Sequence, residues 1–220
     1  MPFFTSFSGY DPDAFPVPQN DPPAQPAGYA FSIWGPIYLV LVLSTGWGAF
    51  RHPDDPDWAP ARVPLLISLL IGAAWLPIAA VNPLVATVLI WMMLIAGLVA
   101  LARTPATPRL AFRAPVALYC GWLAAASWVS VALTGAGYDL IFGPYLWALI
   151  AIVAATATAL AVLARIPGIP EFSAAVIWAF VALIVANWSD SPGVAALAAA
   201  SALVVLAMQI IRIRDSRQSV

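Results

Sequence analysis

The stretch PAGYAFSIWGPIY, residues 26–38, decides how this chain is read. It opens an apolar segment that continues to about Phe50. Phe31, Trp34 and Tyr38 are spaced i, i+3, i+7, so on a helix they share one face. Crossing lipid asks only for residues such as Leu and Val. Here the opening turns carry two glycines, two prolines and four aromatics instead. That composition fits either an interfacial aromatic belt or a shaped, flat-sided surface near one membrane face.

Working outward, the whole chain has the same apolar character. Of 220 residues, 63% are hydrophobic and 9% charged, and the mean hydropathy is +0.92, outside the range of soluble domains. Seven apolar stretches can be drawn, at about 28–50, 64–81, 83–102, 115–134, 144–165, 171–188 and 192–211. A helix rising ~1.5 Å per residue needs ~20 residues to cross the hydrocarbon. Long continuous runs exclude a membrane barrel, whose strands are short and alternating. The expected fold is an all-α integral membrane protein, a bundle of about seven transmembrane helices.

Charge placement orients that bundle. The chain has nine arginines and no lysine. With seven spans, Arg51, Arg62, Arg103, Arg109, Arg113, Arg165, Arg212, Arg214 and Arg217 all fall on one side. Six or eight spans would scatter them. The positive-inside tendency makes that side cytoplasmic, with the N-terminus outside, as in a bacterial inner membrane.

Residues 1–26 hold seven prolines, three aspartates and no basic residue, which predicts a disordered extracytoplasmic tail. It lacks the charged start and apolar run of a signal peptide. Residues 213–220 form a short cytoplasmic tail. A single cysteine, Cys120, allows no disulfide within the chain. A formal charge of −1 leaves no nucleic-acid footprint.

Absences narrow the function. Every Asp and Glu falls in a loop, a tail or at a helix end, so no span carries an ionisable group at its centre of the kind proton relays and ion-coupled carriers use. Without lysine, retinal has no Schiff-base partner. His52, the only histidine, reads as a solvated loop residue, and nothing supplies a metal set or a catalytic triad. The expectation is a non-enzyme whose embedded chemistry is aromatic, amide and hydroxyl, needing no cofactor.

Tryptophan supplies most of it. Trp34, Trp75, Trp91, Trp128, Trp147 and Trp188 fall in the outer half, the first four roughly 9–12 Å in from helix ends at ~1.5 Å per residue. Trp122 and Trp178 are nearer the middle, and only Trp47 and Trp58 lie inside. A belt would load both interfaces more evenly, so the bias favours an aromatic cavity in the outer half. Trp58, in the inner loop, is expected to matter little for ligand affinity. In the second span Ser68, Gly72, Trp75 and Ala79 form a small-residue stripe around one ring, and Pro77 frees a backbone carbonyl. In the fourth, Tyr119, Trp122, Ala126 and Ser130 share a face. Small residues also serve close helix packing, which suffices for the alanines. Trp147 is expected to close the cavity from the fifth span.

At these residues the chain resembles a known family. The stretch Pro26–Tyr38, then Ala74-Trp75-Leu76-Pro77, then Tyr119-Cys120-Gly121-Trp122 are similar to successive signatures of the TspO/MBR family, the tryptophan-rich sensory proteins and translocator proteins. The similarity covers about residues 26–134 and divides the chain into a TspO-like four-helix portion (27–134) and three additional helices (135–212). Departures are specific. The family's usual first span is replaced by the polar tail. Gly72 and Ser130 stand where the family pattern has Asn, and its sterol-recognition pattern has no counterpart after Tyr119.

The resemblance implies a receptor, carrier or sensor with a cavity for flat hydrophobic molecules, a porphyrin or haem above all. It points to Phe31, Trp34, Tyr38, Trp75, Pro77, Trp91, Tyr119, Trp122 and Ser130 as ligand-binding residues. Partners on this reading are membrane lipids, a tetrapyrrole-like small molecule and, as an option, a second copy of the chain in a homodimer. The rival from another class is an uncoupled facilitator of a small neutral solute, built as two three-helix units around a linker. A tetrapyrrole-degrading photo-oxidation is a further alternative with no support among the residues themselves.

Overall fold

A computed structural model describes residues 9–107 and 109–218, with side-chain surroundings given through residue 215. Seven α-helices follow in order: α1 Trp34–Arg51, α2 Ala59–Ala79, α3 Pro83–Ala102, α4 Arg113–Gly137, α5 Pro144–Arg165, α6 Pro170–Asn187 and α7 Pro192–Gln218. All seven are long and apolar enough to span a membrane, the first when extended back to Gly28. No strand occurs among the described residues.

Local chemistry sets the boundaries. Prolines 83, 144, 170 and 192 open α3, α5, α6 and α7, where a missing N–H leaves no bond unmade and φ is already helical. Asn82 caps α3, its side-chain oxygen accepting from the Val85 N–H at 3.0 Å. The first motif splits into two pieces. Residues Gly28–Ile33 form a 3-10 turn, and the α-helix begins at Trp34.

The bundle is built around α4. Its most apolar 18-residue window is 72% buried, against 22% and 28% for the first two spans. The α2–α3 pair covers one flank of α4, while α5 and α6 cover the other, with α7 behind them; α1 leans on α4. Small residues make this possible. A Cβ on Gly121 would collide with the backbone of Phe172 on α6, so these helices meet at near-backbone contact. The boundary expected at residue 134 falls inside α4, which continues to Gly137.

Residues 9–26, expected to be disordered, instead cross the end of the bundle opposite the arginines. Val17 N–H donates to Gly137 O (2.9 Å) and Ala27 N–H to Ala182 O (3.2 Å). Asn187 Nδ2 donates to Pro23 O at 3.0 Å. Tyr10, Phe15, Gln19 and Ala24 are buried, and Phe15 lies where a side chain on Gly137 would stand. The physical reason is that the prolines hold the backbone extended before it docks, while the two aromatics bury area that composition averages away. Residues 1–8 of the expected tail lie outside the described residues, as do 219–220 at the other end.

Trp58, in the loop between α1 and α2, is only 2% exposed. It stacks between His52 (4.9 Å) and Phe112 (4.4 Å), both interplanar angles being 9°. Gly48 makes room, since a Cβ there would lie 2.6 Å from the indole. His52 is likewise held, through Nδ1 to Asp55 Oδ2 at 2.9 Å. Asp55 also accepts from the Asp57 N–H at 2.9 Å. The Asp57 bond first, and His52 after it, hold the Asp55 carboxyl below its ordinary range.

Candidate functional site

Four elements converge beneath the 9–27 strap. The 3-10 turn and the start of α1 bring Phe31 and Trp34, α2 brings Trp75, and α4 brings Trp122. The turn is fixed by Trp178 on α6, whose Nε1–H donates to Ala30 O at 3.0 Å, with Tyr29 edge-on to the same indole at 5.5 Å. Phe31 and Trp34 then meet Trp122 nearly perpendicularly, with centroids at 5.9 and 6.1 Å. Edge-to-face contact is a favoured aromatic geometry. Trp75 is held by its own N–H, which donates to Ala86 O at 3.0 Å.

These rings line a cavity with about 50 Å³ of free space. Its far walls are Ala148, Ala151, Ile152 and Ala155 of α5 and Ala179, Phe180 and Leu183 of α6. The α5 stripe reads i, i+3, i+4, i+7, so one small-residue helix face closes the space. Trp147 does not; its N–H donates to Leu140 O at 2.9 Å and its ring packs near Phe142.

One edge of the cavity is polar. Tyr10 of the strap shares a 2.8 Å hydrogen bond with Ser130 Oγ. Ser130 in turn meets Thr87 Oγ1 at 2.7 Å, and Thr87 meets Thr134 Oγ1 at 2.8 Å. Burial raises the Tyr10 phenol above its ordinary value, its bonds to Ser130 and Thr87 pulling the other way. Tyr10 therefore stays a neutral hydroxyl at physiological pH. Hydroxyls thus stand where the resemblance led to the expectation of an amide at position 130.

Tyr38 and Tyr119 belong to a neighbouring space of about 130 Å³, between α1, α2, α3 and α4, also lined by Gly72 and Met93. Trp34 is the wall common to both. It stacks on Tyr38 (5.3 Å, 16°) and tilts against Tyr119 (6.4 Å). The Tyr119 hydroxyl bonds Ser68 Oγ at 2.9 Å, and Ser68 donates to Met93 O at 2.7 Å.

Of the nine expected residues, Phe31, Trp34, Trp75, Trp122 and Ser130 come together in the first cavity, and Tyr38 and Tyr119 in the second. Trp91 lies outside both. It packs edge-on to Trp128 at 4.9 Å, and Trp128 bonds Thr158 Oγ1 at 2.9 Å, linking α3, α4 and α5. Pro77 faces outward. Sequence reasoning missed Tyr10, Thr87 and Thr134. The Ser130/Thr134 pair at i, i+4 was an available signal, whereas Tyr10 lies 120 residues from its partner. Among the described residues no group of three or more His, Cys, Asp and Glu is placed to hold a metal ion.

A family model described as TSPO-like protein matches residues 19–211. That match takes in α5–α7 as well as the four spans carrying the motifs. No curated protein and no solved structure matches the chain.

Proposed function

Since the chain belongs to the TSPO-like protein family, we propose that it is a membrane receptor, sensor or carrier for a flat hydrophobic ligand of the tetrapyrrole class. The observation that carries this reading is the meeting of Phe31, Trp34, Trp75 and Trp122, from three helices and a turn, around one apolar space with a single hydroxyl edge. Ring stacking and apolar burial hold a large π-system, and the Ser130 hydroxyl on α4 orients it.

The size of the space adds a condition. Pockets for drug-sized ligands measure ~300–1,000 Å³, and this one offers about 50 Å³. Binding therefore goes with displacement of the strap, which contributes Gly9, Tyr10, Ala24, Gln25 and Pro26 to the lining. On this reading the protein performs no chemistry and needs no cofactor. The arginine side is cytoplasmic, and the strap is outside.

The test is tryptophan-fluorescence quenching of the purified protein titrated with protoporphyrin, haem and a sterol. Saturable quenching by the planar macrocycles, weakened by Trp122→Phe, supports the proposal. Equal, non-saturating quenching by all three sinks it. The facilitator reading draws on the same small volume, which suits a small neutral solute. Solute flux into proteoliposomes without macrocycle binding would move it ahead.

A further inference from the structure

A separate groove opens at the arginine end, between α1 and the start of α4. Its free volume is about 420 Å³, and Ser44, Trp47, Leu110, Pro115, Leu118 and Glu171 are among its walls. Leu43 and Leu110, 63% and 73% exposed, turn its open side toward the surrounding lipid. It shares no lining residue with the aromatic cavity.

Two polar atoms in this groove have no partner. Ser44 is 5% exposed, and its Oγ is buried without a hydrogen bond. The adjacent Thr45 satisfies its own hydroxyl by donating to Leu41 O at 2.8 Å, a bond Ser44 does not make. Glu171 accepts from Arg109 through Oε1, while its Oε2 is buried with no donor. Buried polar atoms left unpaired are uncommon and carry a penalty. Two in one open groove mark a place where something else completes the bonding.

The rim defines what that is. Arg51 lies 5.3 Å from the centroid of the Trp47 ring, and Arg109 is paired to Glu171. Two cations against one carboxylate leave the rim net positive. Ser44 lies seven residues in from Arg51, ~10 Å at ~1.5 Å per residue, roughly the depth from phosphate to the acyl region.

We propose that this groove binds a membrane phospholipid whose head carries hydrogen-bond donors besides its phosphate. The phosphate meets Arg51 and Arg109, a head-group hydroxyl or ammonium donates to Glu171 Oε2, and an ester carbonyl accepts from Ser44. The acyl chain lies on Leu118 and Pro115.

The test uses the full chain in nanodiscs of equimolar phosphatidylglycerol, phosphatidylethanolamine and phosphatidylcholine, with retained lipid read by native mass spectrometry. Phosphatidylglycerol and phosphatidylethanolamine should be retained over phosphatidylcholine, whose head has no donor. Ser44→Ala should lower retention of the first two roughly threefold to tenfold, the worth of one net hydrogen bond. Glu171→Gln should erase the preference between heads. Ser44→Ala also removes an unpaired hydroxyl, so in lipid-free detergent it should melt no lower than the parent, which separates lost lipid from lost fold. Equal retention of all three lipids overturns the proposal, as does a Ser44→Ala profile identical to the parent's. A dimer whose formation is indifferent to head group overturns it too, by placing a second copy in the groove.

Discussion

At one end of the bundle the strap of residues 9–27 lies on α4 and α6 through backbone bonds, one asparagine and two buried rings. At the other end, guanidinium groups and stacked rings join the loops. Arg62 donates to the carbonyls of His52 and Pro53. Arg113 reaches Thr104 O at 2.8 Å and Pro167 O at 3.3 Å, tying two loops to the foot of α4. Both ion pairs found among the described residues, His52–Asp55 and Arg109–Glu171, lie at this second end. A closure made of neutral hydrogen bonds, each worth about 0.5–1.5 kcal/mol net, can come off while the helices stay in place. One made of interlocked rings and forked cations holds the helix feet. On the proposed reading, the contrast separates the end that opens from the end that anchors.

Substitutions should divide along the same line. The largest effect is expected at Trp58→Ala, which empties the space between His52 and Phe112 and should cost about 3–5 kcal/mol, read as a fall in melting temperature in detergent. A normal melt would mean that the arginine end is not the anchor. Gly121→Ala forces α4 from α6 against backbone and should cost about 1–3 kcal/mol by the same measurement, with bulkier residues worse. Trp58 lies away from the aromatic cavity, and Gly121, next to the lining residue Trp122, is not itself in its wall.

At the strap end the readout shifts from stability to ligand affinity. Trp122→Phe keeps a ring but loses area and two edge contacts. It should weaken protoporphyrin binding by up to about tenfold, ~1.4 kcal/mol, with a smaller change in melting. Tyr10→Phe removes the hydroxyl bonded to Ser130, loosening the strap by about 1 kcal/mol. Ligand association should then speed up, and stopped-flow quenching would detect it. Slower association would mean that the strap is part of the site and not its cover.

The smallest effect belongs to Asp55. Its carboxyl is held below the ordinary value near 3.9 by the Asp57 N–H and then by His52. A lowered folded value stabilises above the unfolded value, and the contribution is lost as pH falls through the folded one. Melting curves between pH 6 and 3 should show this loss in the parent and not in Asp55→Asn. Because the carboxyl remains partly open to solvent, the difference should be slight.

What could be read in advance follows the range of the interactions. Helix positions rest on local hydropathy and on prolines at first turns, so most expected boundaries match to within a few residues; α2 starts five earlier, α1 proper begins six later at Trp34, and α7 runs seven further. Phe31, Trp34, Trp75 and Trp122 were legible because helical spacing puts each on a face with small neighbours. Trp91 fits the same pattern yet packs against Trp128, since spacing gives a face but not what faces it. The strap was illegible for a different reason. Its burial depends on Gly137 leaving room for Phe15 and on Ser130 awaiting Tyr10, pairings across more than a hundred residues. The burial of Trp58 was not legible either, because its loop folds under a ring stack of His52, Trp58 and Phe112.

The position of α4 at the hub also bears on how the chain is made. It leaves the ribosome fourth of seven, yet α5 and α6, which cover Gly121, Gly135 and the rest of one flank, follow it. For that interval its small and hydroxyl-bearing face meets lipid or the insertion machinery, and residues 9–27, synthesised before every helix, have only Gly137 and Ser130 to dock on until Ala182 and Asn187 arrive. The strap is thus made before the helices it fastens to and is fastened only after the sixth. A chain whose strap is closed is by that fact a chain whose α4 and α6 are already side by side.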